Sequence, residues 1–116
     1  MKFIGKFFQR KPEAAPVMVV QHAELTEAIR DLAGVFGDGM TAMHTGDKFT
    51  CAEADSIARV LLLAGHKDEA LEWLSAHAEG DGVDDPHYTY DEDDPEDEGR
   101  VLNALEMREY AGWLAA

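Results

Sequence analysis

Thr50 and Glu53 form an S/T-x-x-E capping box directly after Phe49. The threonine side chain caps an amide of the first turn while the glutamate reaches back to the amide of the cap residue, so this pattern fixes a helix start more tightly than any other stretch of the chain. From there Cys51, Ala54, Ile57, Ala58, Leu61 and Leu62 recur at three- and four-residue spacing, and Val60 and Leu63 widen the stripe. Such a helix is buried on more than one side. Ala64-Gly65-His66 closes it, with Gly65 where a helix end favours a left-handed residue. The spacing predicts the next helix over about Asp68 to Ala78. Leu71, Leu74 and Ala78 make one face and Ala70, Trp73 and His77 a neighbouring one. The short link forces the two helices into a hairpin.

Other helices are expected to flank this hairpin. From Val17, the residues Met18, His22, Leu25, Ile29, Leu32 and Phe36 are spaced as a buried helical seam that ends near Gly34 to Gly39, where three glycines cluster. His22 within it reads as a core histidine. His44 to Lys48 reads as a loop, and Phe49 is placed to staple against Ala54. Residues 79–98 hold eleven Asp or Glu in twenty positions, with glycines at 80 and 82 and prolines at 86 and 95, the composition of a flexible loop. The acids around Pro95 to Glu98 suit a helix N-terminus, and Val101, Leu102, Leu105, Met107, Tyr110, Trp113 and Leu114 supply the apolar face of the helix that follows. The fold class is all-α: a small bundle of three to four helices with a central helical hairpin, a flexible acidic loop at 79–98 and a basic N-terminal tag. The tag spans 1–11, a proline linker 12–16 and the helical domain 17–116.

Charge divides the chain sharply. Lys2, Lys6, Arg10 and Lys11 give the tag +4 with no acid, whereas the whole chain carries −14. Phe3, Ile4, Phe7 and Phe8 would form one apolar stripe in a helix, with the basic residues beside it. That is a docking peptide for a groove on a protein partner, or for an anionic membrane surface as the lesser alternative. Packing back on the protein's own core is the structural alternative. The acidic balance argues against direct nucleic-acid binding, which requires a basic face. Cys51, the only cysteine, cannot form an internal disulfide, and the chain has neither a signal peptide nor an apolar run long enough to span a bilayer. An intracellular, soluble protein is expected.

Metal-ligand residue types occur at Cys51, His66, His77 and His87, with Asp81 and Asp85 nearby. No two of the cysteine and histidines lie two to four residues apart, as the ligand pairs of structural zinc sites usually do. Cys51 and His66 also mark opposite ends of one helix, about 20 Å apart, and cannot share an ion. No metal or other cofactor is therefore expected, with His66, His77, Asp81 and His87 as the weak alternative set. Asp91 to Asp94 fails the calcium-loop pattern, because the sixth position holds Glu96 instead of glycine. No nucleophile elbow, glycine-rich phosphate loop or H-E-x-x-H is present, and Cys51 on an apolar face reads as a core thiol. The protein is expected not to be an enzyme.

Phe49-Thr-Cys-Ala-Glu-Ala-Asp55, Leu63-Ala-Gly-His66 and Ala76-His-Ala-Glu-Gly-Asp81 together resemble small acidic helical proteins of actinobacteria and their phages, a type generally without assigned function. The resemblance covers about a third of the chain and implies a phage or prophage setting, in which short accessory proteins bind a larger machine. It supplies no catalytic residues. The expected function is thus a non-enzymatic accessory protein that docks through its basic aromatic tag on a larger protein assembly. Its location would be cytoplasmic, or virion-associated if phage-encoded. The alternative is an acidic inhibitor or DNA mimic presenting Asp91, Glu92, Asp93, Asp94, Glu96, Asp97 and Glu98 to a nucleic-acid-binding protein.

Overall fold

The computed structural model describes residues 22–116. The tag at 1–11, the linker at 12–16 and the expected helix start at Val17 lie outside them. In order come α1 (His22–Phe36), α2 (Gly39–Thr45), a 3-10 turn (Gly46–Lys48), α3 (Cys51–Leu63), α4 (Lys67–Ala78), β1 (Tyr88–Thr89), β2 (Arg100–Val101) and α5 (Ala104–Leu114). The fold is mostly helical, as expected. Among the described residues no helix is long and apolar enough to cross a membrane.

The hairpin forms as its sequence dictates. Glu53 N–H donates to Thr50 Oγ1 at 3.1 Å and Thr50 N–H donates to Glu53 Oε1 at 2.9 Å, so both halves of the capping box are present. At the far end, Gly65 has φ of 90°, and His66 N–H and Gly65 N–H donate to the carbonyls of Leu61 and Leu62. That is the glycine-terminated helix end in which a Cβ would be strained. Alanines at 54, 58, 70 and 78, each at most 1% exposed, let α3 and α4 approach closely. Trp73, fully buried, fills the space beside them. Its indole N–H donates to Ala54 O at 3.0 Å, and its ring meets Phe36 and Phe49 edge-on with centroids 4.9 and 5.2 Å away. Phe49 thus packs on the tryptophan, an aromatic contact with far more area than the expected staple on Ala54.

Three elements differ from expectation, each for a local reason. α2 runs to Thr45 from its N-cap Asp38, which accepts from Thr41 N–H, so His44 and Thr45 of the expected loop are helical and Gly46–Lys48 form a 3-10 turn. Along α1, Ala33 is the buried residue and Phe36 packs on the core, whereas Leu25 and Leu32 stay exposed. The helix joins the body at its C-terminal end and not along the whole seam. The last helix starts at Ala104 and not near Pro95, because Arg100 and Val101 pair antiparallel with Thr89 and Tyr88 and need extended backbone there. Asn103 then supplies a second capping box with Glu106. The acids upstream go into aspartate-led turns, with Asp91, Asp94 and Asp97 accepting from the amides of Asp93, Glu96 and Gly99.

Arg100 clamps the start of α5, its two terminal nitrogens donating to Glu106 Oε1 and Oε2 at 2.7 and 3.1 Å. The Arg100 guanidinium, and after it the Asn103 amide, hold the Glu106 carboxyl down at about 2. A carboxyl depressed on folding stabilises the protein above its ordinary range and loses that contribution as pH falls towards the folded value. Glu106→Gln is expected to lower the melting temperature at pH 7, with variant and wild type converging between about pH 4.5 and 2. Equal melting temperatures at pH 7 would contradict this role.

Candidate metal centre

An antiparallel hairpin sets the first residue of α3 beside the last turn of α4, which places Cys51 against His77. Asp55 follows Cys51 at i+4 on α3, and Asp81 follows His77 at i+4 past the end of α4, so each pair shares one face. The chain then returns through Asp85 to His87, and Tyr110 arrives from α5. Six of these side chains, Cys51, Asp55, His77, Asp81, His87 and Tyr110, meet in one place. Cys51, His77, Asp81 and His87 can each offer one ligand atom such that all four lie within 4.8 Å of one another.

Both histidines are oriented from behind. His77, 3% exposed, donates from Nδ1 to Gly46 O at 2.7 Å. A carbonyl only accepts, so Nδ1 carries a hydrogen, and Nε2 faces Cys51 Sγ and Asp81 Oδ1, each 3.4 Å away. Gly46 permits this contact. A Cβ there would lie 2.9 Å from His77 N and 3.0 Å from its Cα, so any side chain would push the 3-10 turn off α4. His87, fully buried, reaches Asp55 Oδ1 from Nε2 and Asp81 Oδ2 from Nδ1, both at 2.7 Å. Asp55 is fixed in turn by the Tyr110 hydroxyl, and the rings of His77 and Tyr110 meet His87 edge-on. An imidazole whose second nitrogen is held by a carboxylate or a backbone carbonyl is the usual support for a metal-bound histidine.

The spacing of the inner atoms matches a coordination shell. Zinc bonds to sulfur of ~2.3 Å, and to nitrogen or oxygen of ~2.0–2.1 Å, give a tetrahedron with edges of about 3.3–3.6 Å. Cys51 Sγ, His77 Nε2 and Asp81 Oδ1 form a triangle with sides of 3.4, 3.4 and 3.6 Å, one face of such a tetrahedron. A ring nitrogen of His87 lies within 4.8 Å of the other three ligand atoms, and its Nδ1 is 2.7 Å from Asp81 Oδ2. A cavity of about 340 Å³ opens over this face, lined by Phe49, Thr50, Gly80 and Asp85 along with Cys51, His77 and Asp81.

Electrostatics favour a cation here. Among the described residues, neither Asp55 nor Asp81 pairs with a lysine or arginine, and their ion-pair partners are the two histidines. Burial, and then the charges of Asp81 and Asp85, push the Cys51 thiol up to about 12. Burial alone would lower His87, yet its hydrogen bonds to Asp55 and Asp81 carry it above the ordinary imidazole value. Both of its ring nitrogens face acceptors, which require a proton or a metal ion.

Of the residues singled out from sequence, His77, Asp81 and His87 come together here, and His66 does not. His66 is the N-cap of α4, at the opposite end of that helix, 4.0 Å from Glu69. Cys51 takes its place and faces this polar cluster, not the apolar core. Asp55 and Tyr110 carried no sequence signal of their own, although the two i+4 pairs, Cys51 with Asp55 and His77 with Asp81, were legible once hairpin pairing was drawn. The acidic residues Asp91, Glu92, Asp93, Asp94, Glu96, Asp97 and Glu98 are all exposed and lie apart in sequence from the ligand set. Phe3, Ile4, Phe7, Phe8, Lys2, Lys6, Arg10 and Lys11 lie outside the described residues. No protein-family model, curated protein or solved structure matches the chain.

Two outcomes test this geometry in the metal-free protein. Cys51 is expected to alkylate with iodoacetamide at pH 8 on the order of a hundredfold more slowly than a free cysteine, whose thiol ionises near ~8.5; a normal rate would contradict the carboxylate environment. Gly46→Ala is expected to cost about 1–3 kcal/mol in denaturant unfolding, the usual range for forced overpacking. An unchanged unfolding midpoint would mean that the turn is not wedged against α4.

Proposed function

We propose that the protein is a small, non-enzymatic helical module that holds one divalent transition-metal ion, of the zinc type, between Cys51, His77, Asp81 and His87. The observation that carries this reading is the triangle of sulfur, nitrogen and oxygen at tetrahedral edge lengths, with each histidine braced from its far side. A mixed thiolate, imidazole and carboxylate set suits zinc, and it accepts cobalt as a spectroscopic substitute. Four protein donors leave the ion a structural part, tying α3, α4 and the loop after α4 into one unit. Binding free energy at such a site adds to folding free energy.

Within that reading the ion-braced body acts as an accessory protein. Its partner is a larger protein assembly engaged by the basic aromatic segment at 1–11, whose +4 stands against the −14 of the whole chain. Deleting residues 1–11 is expected to abolish capture of that assembly from the native host, and retained capture would count against the tag.

Metal holding is tested by adding zinc and cobalt to metal-free protein. One equivalent is expected to bind, with a melting temperature that rises with free zinc; at a hundred times Kd the gain is about 2.7 kcal/mol. Cobalt should give the intense d–d bands of a tetrahedral site together with a thiolate charge-transfer band, the latter lost in Cys51→Ser. Absence of any stoichiometric binding, or cobalt spectra unchanged by Cys51→Ser, would overturn the proposal.

A further inference from the structure

We infer that the ion in this centre governs whether the acidic segment at residues 82–99 is held against the helical body. The inference rests on the metal-holding reading and concerns what occupancy does to the rest of the molecule. Between residues 79 and 106, His87 is the only fully buried residue. The apolar side chains that might otherwise anchor the segment do not do so, since Val83 is 48% and Tyr90 43% exposed. The anchor is therefore a histidine, and the groups that grip it are the carboxylates of Asp55 and Asp81 and the rings of His77 and Tyr110. A buried leucine would hold the segment under any conditions, because burial of apolar area needs no counter-ion. A buried imidazole facing acids on both sides brings those carboxylates together without a lysine or arginine to answer them, and a metal ion at the cluster answers them.

Apart from Asp85, whose Oδ1 lies 3.6 Å from Cys51 Sγ, the remaining attachments run through the same residue. Leu102 N–H donates to His87 O at 2.9 Å, and the adjoining pairs Tyr88 with Val101 and Thr89 with Arg100 carry that contact to the start of α5. Further out, the turns led by Asp91, Asp94 and Asp97 close within a few residues of themselves and add no grip on the helices. Charge acts against docking. Residues 82–99 contain nine Asp or Glu and no Lys or Arg, in a chain of net charge −14, so the segment is repelled by the body except where the ion sits. A divalent ion bound to Cys51, His77 and Asp81 on the body and to His87 on the segment reverses that balance at one point.

Hydrogen–deuterium exchange of the full chain, metal-free and with one equivalent of Zn2+, tests this. Peptides within residues 82–103 are expected to slow at least tenfold on zinc addition, while those of α1 and α2 change little. His87→Gln, which keeps a polar side chain and removes a strong ligand, is expected to abolish that slowing while far-UV circular dichroism stays helical. Zinc binding at one equivalent with no protection of 82–103, or with uniform protection of every peptide, overturns this inference and leaves the metal centre standing. Failure of zinc to bind at all overturns both. If His87→Gln does not fold, Cys51→Ser supplies the second arm, and zinc-dependent protection that survives intact there overturns the link between ion and segment.

Discussion

Antiparallel pairing of α3 with α4 is the constraint on which the rest depends. It is set at one end by the Thr50–Glu53 box and at the other by the left-handed Gly65, and sealed between them by small alanines and by Trp73. Because the two helices are of similar length, the first residue of one must lie beside the last turn of the other. Cys51 and His77 are twenty-six positions apart in the chain and 3.4 Å apart between Sγ and Nε2 for that reason. The i+4 repeat on each helix then adds Asp55 and Asp81, and the short return from α4 brings His87.

Polar residues at the hairpin's open end take the place of a continuing apolar core. A thiol and two imidazoles surrounded by Asp55, Asp81 and Asp85 form an expensive cluster to bury, since carboxylates without cationic partners oppose one another and the thiolate alike. His87 answers part of that charge, which shows in its raised pKa. A divalent ion answers it more completely, because it replaces protons with a centre that every ligand atom can face at once. Gly46 and Tyr110 sit one layer out, orienting His77 directly and His87 through Asp55. The cluster is thus built two layers deep, which distinguishes it from an exposed group of acids.

Much of this fold could be read from the residues. Capping box, glycine stop and three-to-four spacing act locally, so α3 and α4 were legible almost to the residue. α5 was legible in its apolar face but not in its start, because the two-residue pairing of Tyr88–Thr89 with Arg100–Val101 is a long-range contact without a sequence signature. Leu25 and Leu32 had seam spacing and stay exposed, since periodicity fixes a face and not what covers it. The site was half legible. His77, Asp81 and His87 are legible as ligand types, but the ligands pair across the hairpin and not at short intervals along the sequence, and Cys51 lies in an apolar stripe that reads as core. Its neighbour across the hairpin was the missing information, and that follows from helix length and direction.

X-ray absorption at the zinc edge of the full-length, zinc-loaded protein addresses the central claim most directly, because it reports the atoms bound to the ion. The expected first shell holds one sulfur at about 2.3 Å and three nitrogen or oxygen atoms at about 2.0–2.1 Å, with imidazole scattering beyond. A shell of oxygen alone, without sulfur or imidazole, would mean that zinc rests on surface carboxylates and that Cys51, His77, Asp81 and His87 do not form a metal centre.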